Sequence, residues 1–156
     1  KGKWRNALRK AEKFNPELLW SGRVEDAAII LSYHNQDRQV RGFQGASLKT
    51  LSVLCHQAAA SGDLLTGIAR LNGQILGGMI FIRHGRAVTY QVGWTNDTGR
   101  DVNVSNILLW QGLLKLKQDG TEFLDLGGVN DRDAEGVKRF KSGLGGDFTE
   151  LVGQYK

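Results

Sequence analysis

Two periods divide the chain. Trp4, Leu8 and Ala11 recur at helical spacing within residues 2–13, with cations around the rest of the turn, so an amphipathic helix is predicted there. Pro16, the single proline, separates it from ELLWSG (17–22), which reads as a short strand. Val24, Ala27, Ala28 and Leu31 are helically spaced over 24–39, and Glu25 and Asp26 suit a helix N-terminus. The run AAIIL (27–31) reads equally as a buried strand. Ser47 is an N-cap candidate for a helix that carries Leu48, Leu51, Leu54 and Cys55 and ends near Gly62.

The period then changes. LLTGIARL (64–71) and QILGGMIFIR (74–83) are apolar runs with β-branched residues, joined by Asn72–Gly73, a strong hairpin signal. A second turn at His84–Gly85 leads into RAVTYQVGWT (86–95), which completes an antiparallel meander. NVSNILLWQGLLKLKQDG (103–120) predicts an amphipathic helix with Ile107, Leu108, Trp110, Leu113, Leu114 and Leu116 as its apolar set, stopped at Gly120. Residues 121–128 are expected to form a strand running into a glycine turn, with a short helix over 134–143 and a last strand over 147–155. A long helix between a meander and a further strand implies a parallel crossover. The expected fold is therefore mixed α/β of the α+β type: one mixed sheet, flanking helices, and a cleft where two strands diverge.

With 156 residues, 40% hydrophobic and 24% charged, the chain suits one domain over 1–156 with a real core. No apolar run approaches the roughly 18 residues of a membrane helix. Met79 is the only methionine, so Lys1 is not an initiator and a fragment of a longer chain is expected. Cys55 is the only cysteine; it reads as a packed, inert thiol, and with no internal disulfide a cytoplasmic, reducing setting is expected. The net charge of +5 is uneven. Lys1, Lys3, Arg5, Arg9, Lys10 and Lys13 oppose only Glu12, and Lys138, Arg139 and Lys141 form a second cluster. Such patches suit phosphate-bearing partners, or are simply solvated faces.

One stretch fits no ordinary core pattern. RFKSGLGGD (139–147) sets two cations around a phenylalanine and follows them with three glycines. With KWRNALRKAEK (3–13), GQILGGMIFIRHGRAVTYQVGWTNDTGR (73–100) and ILLWQGLLKLKQDGTEFLDLGGV (107–129), it resembles the second GNAT-like domain of the FemABX peptidoglycan aminoacyltransferases. The last stretch is similar to that family's F-K-x-G-x-G-G signature, and FLDLGG to its D-x-G-G turn. The resemblance implies an acyl-CoA N-acyltransferase fold in the C-terminal part of a two-domain chain. It further implies transfer of an amino acid from aminoacyl-tRNA to an amine of a peptidoglycan precursor, with a missing N-terminal GNAT-like domain as partner.

Carried over, Lys141 offers an ammonium to the donor ester or a nearby phosphate. Phe140 stacks on a flat group such as the terminal adenine, beside Arg139, and Gly143, Gly145 and Gly146 let backbone approach the donor. Arg5 and Arg9 hold the diphosphate of the acceptor. Asp125 either binds or deprotonates the acceptor amine or caps the Gly127–Gly128 turn; Asp131 and Asp133 read as turn and cap residues. Without the resemblance, Phe140 is core, Lys141 is solvated and the glycines stop a helix.

Acyl transfer to an amine needs orientation and oxyanion donors, not a covalent enzyme intermediate or a dissociable cofactor. His34, His56 and His84 are scattered, and no metal site is expected. Acetyl-CoA-dependent GNAT enzymes show R/Q-x-x-G-x-G/A before the long helix, whose amides cradle pyrophosphate. Here TNDTGRDVNVSN (95–106) has the single glycine Gly99, which favours aminoacyl-tRNA over acyl-CoA as donor. The alternatives are an acyl-CoA N-acyltransferase acting on a peptide, amino-sugar or lipid amine, and a non-catalytic basic module that binds RNA or protein.

Overall fold

The computed structural model of the protein describes residues 2–128 and 135–149. In chain order its elements are α1 (Gly2–Phe14), β1 (Glu17–Ser21), α2 (Val24–Arg41), α3 (Leu48–Ser61), β2 (Leu64–Leu71), β3 (Gln74–His84), β4 (Ala87–Thr95), α4 (Asp97–Asp101), α5 (Val104–Gln118), β5 (Phe123–Asp125) and α6 (Glu135–Gly143). The strands form one sheet in the order β1-β2-β3-β4-β5. Neighbours are antiparallel up to β4, which pairs with β5 in parallel across α5. This is the mixed sheet that the element order implied.

Local chemistry explains the boundaries. Asn72 and Gly73, at φ 49° and 78°, take the left-handed pair that a tight hairpin requires. Ser47 caps α3 by accepting the Thr50 N–H at 3.1 Å, and Gly62 closes the helix at φ 77°. The ambiguous AAIIL run is helical: Ala27, Ile30 and Leu31 are its buried positions, at i, i+3 and i+4. Removal of the Ser47 hydroxyl leaves a helix donor without its partner. Ser47→Ala should therefore cost about 1 kcal/mol, read as an earlier urea midpoint at unchanged slope.

Helices cover both faces of the sheet. On one, α2 and α3 bring Ile30, Leu31, Leu51 and Cys55 onto Ile68, Ile80, Ile82 and Val92. Burial raises the Cys55 thiol above its ordinary range, consistent with an inert packed group. On the other face, Val104, Leu108, Leu109 and Leu116 of α5 pack on Met79, Phe81 and Val88, with Trp4, Tyr90 and Phe140 at the edge.

An irregularity in β4 decides which side chains go where. Ile80 pairs with Val92 but Phe81 pairs with Tyr90, so Gln91 is a bulged, unmatched residue. The bulge switches faces: Val88 and Tyr90 look toward α5, whereas Val92 and Trp94 look toward α2. Pairing with β5 ends at Thr89↔Asp125, and the turn that follows stays beside β4: a Cβ on Gly127 would lie 3.7 Å from the Tyr90 carbonyl. The end of this pairing is the place of the expected cleft.

One expectation changes. Trp110 and Leu114, expected in the apolar set of α5, are 37% and 40% exposed, whereas Leu109 is fully buried. The cause is that α5 is covered on two sides, by the sheet and, at Ile107, by Leu8 and Ala11 of α1. The stretch 121–128 is, as expected, a strand, Phe123–Asp125, running into a glycine turn that Asp125 caps. The last strand, expected over 147–155, falls largely outside the described residues, and its first three residues, 147–149, form no strand. Asp131 and Asp133 also lie outside the described residues.

Candidate active site

At the mouth of the cleft the D-L-G-G turn is held from two sides. Asp125 Oδ1 accepts the Gly127 N–H at 2.7 Å, and Gly127 takes φ 73°, which suits glycine. From α6, the Lys141 ammonium donates to the Gly128 carbonyl at 2.9 Å. The same nitrogen lies 5.8 Å from the centre of the Tyr90 ring, within range of a cation–π attraction. Burial pushes the Lys141 pKa below the ordinary lysine range; the Asp125 charge opposes this without cancelling it. Lys141, Asp125, Gly127, Gly128 and Tyr90 thus meet where the pairing of β4 with β5 ends.

The rest of the glycine-rich stretch is held differently. Phe140 packs at 6.4 Å, tilted, on the ring of Trp4, which in turn meets Trp110 edge-on at 6.4 Å. A Cβ on Gly143 would come within 2.6 Å of Trp4 Cδ1, so glycine is needed there for close packing within the protein. The Trp4 indole nitrogen is buried with no hydrogen-bond partner among the described residues. Phe140 and Gly143 therefore seat α6 on α1, which aims Lys141 at the turn. Arg139 faces solvent and pairs at 3.6 Å with the exposed Glu135, a contact of little energetic weight. Gly145, at φ 85°, and Gly146 are exposed beyond the helix. Arg5 and Arg9 are exposed on α1. Asp125 is exposed and engaged as the cap of the turn, one of the two arrangements open to it.

Tyr90 and the packing role of Trp4 were not anticipated. Strict alternation puts Val88, Tyr90 and Val92 on one face, and only Gly93, just past the bulge, hints otherwise. Trp4 was legible as a core residue, not as the seat of α6.

The segment before α5 is tightly organised. A one-residue bulge at Leu76, opposite Ala69 and Arg70, lets the Ile75 and Leu76 carbonyls turn to Asn96. The Asn96 backbone N–H donates to Leu76 at 3.0 Å, and its side-chain amide donates to Ile75 at 3.1 Å. Asn96 Oδ1 caps α4 by accepting the Gly99 N–H at 2.7 Å. The amides of Arg100, Val102 and Asn103 donate to Asn96, Thr98 and Arg100. Arg100 also pairs with Asp97, and Lys10 ties α1 to the Asp101 carbonyl at 2.6 Å. The amides of Gly99, Arg100, Val102 and Asn103 are thus engaged inside the protein, Asn103 gives α5 no side-chain cap, and two carboxylates, Asp97 and Asp101, belong to α4.

No curated protein sequence matches the chain. Among solved structures it is similar to FemX, with 13% identity and a TM-score of 0.70 over 85% of this chain and 50% of FemX. It is also similar to a possible acetyltransferase from Clostridium difficile 630, with 11% identity and a TM-score of 0.64 over 90% and 97% of the two chains. A predicted acetyltransferase from Clostridium acetobutylicum, solved with acetyl-CoA, gives 14% identity and a TM-score of 0.63 over 90% and 94%. These are likenesses of fold. Residues 1–142 match the family model of the acetyltransferase (GNAT) domain: the chain belongs to that family and is an acyltransferase.

Proposed function

We propose that this acyltransferase passes an amino acid from aminoacyl-tRNA to an amine of a peptidoglycan precursor, in the manner of the FemABX enzymes. The observation that carries the reading is the segment between β4 and α5. A CoA pyrophosphate bound at a helix start needs free amides. Here those of Gly99, Arg100, Val102 and Asn103 are already engaged, and the Arg100 guanidinium is paired with Asp97. The FemX likeness supports the same reading. In it, the acceptor amine attacks the donor ester, the new C–N bond replaces the C–O bond to ribose, and the ribose oxygen takes the proton the amine loses. Lys141 faces the ester and the neighbouring phosphate; Asp125 keeps the turn that presents it. Gly145 and Gly146 give the donor close access to backbone, and Arg5 and Arg9 meet acceptor phosphates. In this reading an N-terminal GNAT-like domain supplies the rest of the acceptor site; the chain spans half the length of FemX.

The second reading, acetyl-CoA-dependent N-acetylation, is favoured by the acetyltransferase from C. acetobutylicum solved with acetyl-CoA, whose fold this chain shares over most of its length. A transfer assay separates the two. The chain is given a UDP-linked muropeptide and either a charged acceptor-stem RNA or labelled acetyl-CoA. Label passing to the muropeptide from RNA and not from CoA is the expected outcome; the reverse would replace this reading with the second.

A further inference from the structure

Among the described residues, the hydroxyl of Tyr90 is a polar group beside Lys141 that the fold itself does not use. Tyr90 lies one residue past the last β4–β5 pair, Thr89↔Asp125. The bulge at Gln91 brings positions 90 and 93 to the same face, and position 93 is glycine. A methyl on Gly93 would overlap the Tyr90 hydroxyl oxygen. The phenol therefore lies along β4 toward the carboxyl end of the strand, with its hydroxyl over bare backbone. Its ring is fixed at 5.8 Å by Phe81, and the Lys141 ammonium sits 5.8 Å from its centre. The hydroxyl donates no hydrogen bond among the described residues. A half-buried tyrosine normally finds a partner for its O–H, because an unmade bond costs free energy.

We propose that Tyr90 is a catalytic residue whose O–H donates to the carbonyl oxygen of the transferring acyl group. The proposal rests on reading the cleft as the acyl-transfer site, but not on which donor carries the acyl group. As the amine lone pair forms the C–N bond, the carbonyl π pair moves onto oxygen, and the Tyr90 hydrogen bond strengthens with the charge it meets. When the tetrahedral species collapses, the bond to the leaving oxygen breaks. That oxygen takes the proton the amine loses, so tyrosine neither gains nor loses one. Burial raises the phenol well above its ordinary pKa, which keeps the donor protonated. Lys141, 5.8 Å from the ring centre and bonded to the Gly128 carbonyl, serves the leaving-group end of the donor.

The test compares the full chain with Tyr90→Phe, which keeps the ring contacts and removes only the hydroxyl. Two probes are built on an acceptor-stem RNA hairpin: a planar amide-linked aminoacyl end, and a tetrahedral phosphonate in its place. The same two ends are built on CoA. Tyr90→Phe should bind the phosphonate about a hundredfold more weakly, bind the planar probe as the parent does, and melt within a few degrees of it. Equal losses on both probes, or no loss on either, would overturn the catalytic role. Should only the CoA phosphonate bind, and Tyr90→Phe weaken it, the aminoacyl-tRNA reading fails and Tyr90 stands. Should the parent chain bind neither phosphonate, the cleft is not an acyl-transfer site and both readings fall.

Discussion

Lys141→Ala should leave the protein folded and lower its transfer rate by about a hundredfold or more. The expectation follows from what the ammonium touches. It lies in the cleft, bonds to the carbonyl of Gly128 and faces the Tyr90 ring, but anchors no part of the core. Alanine would keep α6 seated through Phe140 and Gly143 on Trp4. The loss should fall on kcat rather than on KM, which separates a group used in the transition state from one used only in binding. A non-catalytic basic module would instead lose affinity roughly equally at Lys141 and at Lys13.

The pH dependence has a definite sign. Burial sets the folded pKa of Lys141 below that of an exposed lysine. Activity that needs the ammonium should fall along an alkaline limb below the ordinary lysine range. Over the interval between the two pKa values the folded chain binds fewer protons at this site than the unfolded chain. Its contribution to stability therefore rises with pH there, so the loss of activity cannot be unfolding caused by this group. Lys141→Arg, which does not titrate in that range, should remove the limb whatever its absolute rate.

Phe81→Ala should be the most damaging core change, costing about 3–5 kcal/mol. Phe81 is fully buried in the middle of β3, packs on Trp20 at 6.5 Å and Tyr90 at 5.8 Å, and presses on the backbone of Gly112 in α5. Against a typical net stability of about 5–15 kcal/mol this is a large share. A calorimetric scan should show the melting point fall by on the order of 10 °C. Because the lost ring supports Tyr90, the residual folded protein should also transfer poorly, which ties the core to the cleft. A melting point unchanged within a degree or two would contradict the packing described for this face.

Much of the fold was legible because it depends on local chemistry. Ser47, Gly62, Asn72 and Gly73 each sit where their backbone or capping preference is needed, and the boundaries of α3, β2 and β3 follow. The parallel pairing of β4 with β5 was legible from element order, because a crossover helix separates the two strands. The bulges at Leu76 and Gln91 were not, since an extra residue in a strand depends on its partner's register. With them went the facing of Tyr90 and the docking of Asn96. The glycine-rich motif was legible as a signature but not as a division of labour. That Phe140 and Gly143 seat the helix while Lys141 reaches the turn depends on Trp4, at the far end of the chain.

The central claim is that the donor is an aminoacyl-RNA and not CoA, argued from the engagement of the Gly99, Arg100, Val102 and Asn103 amides within the protein. Thermal shift of the chain against CoA, acetyl-CoA and an acceptor-stem hairpin with a stable aminoacyl end tests it most directly. At about a hundred times the dissociation constant a true ligand adds about 2.7 kcal/mol, several degrees of melting temperature. The account predicts that rise with the RNA and none with either CoA compound. A rise with CoA and none with the RNA would contradict it.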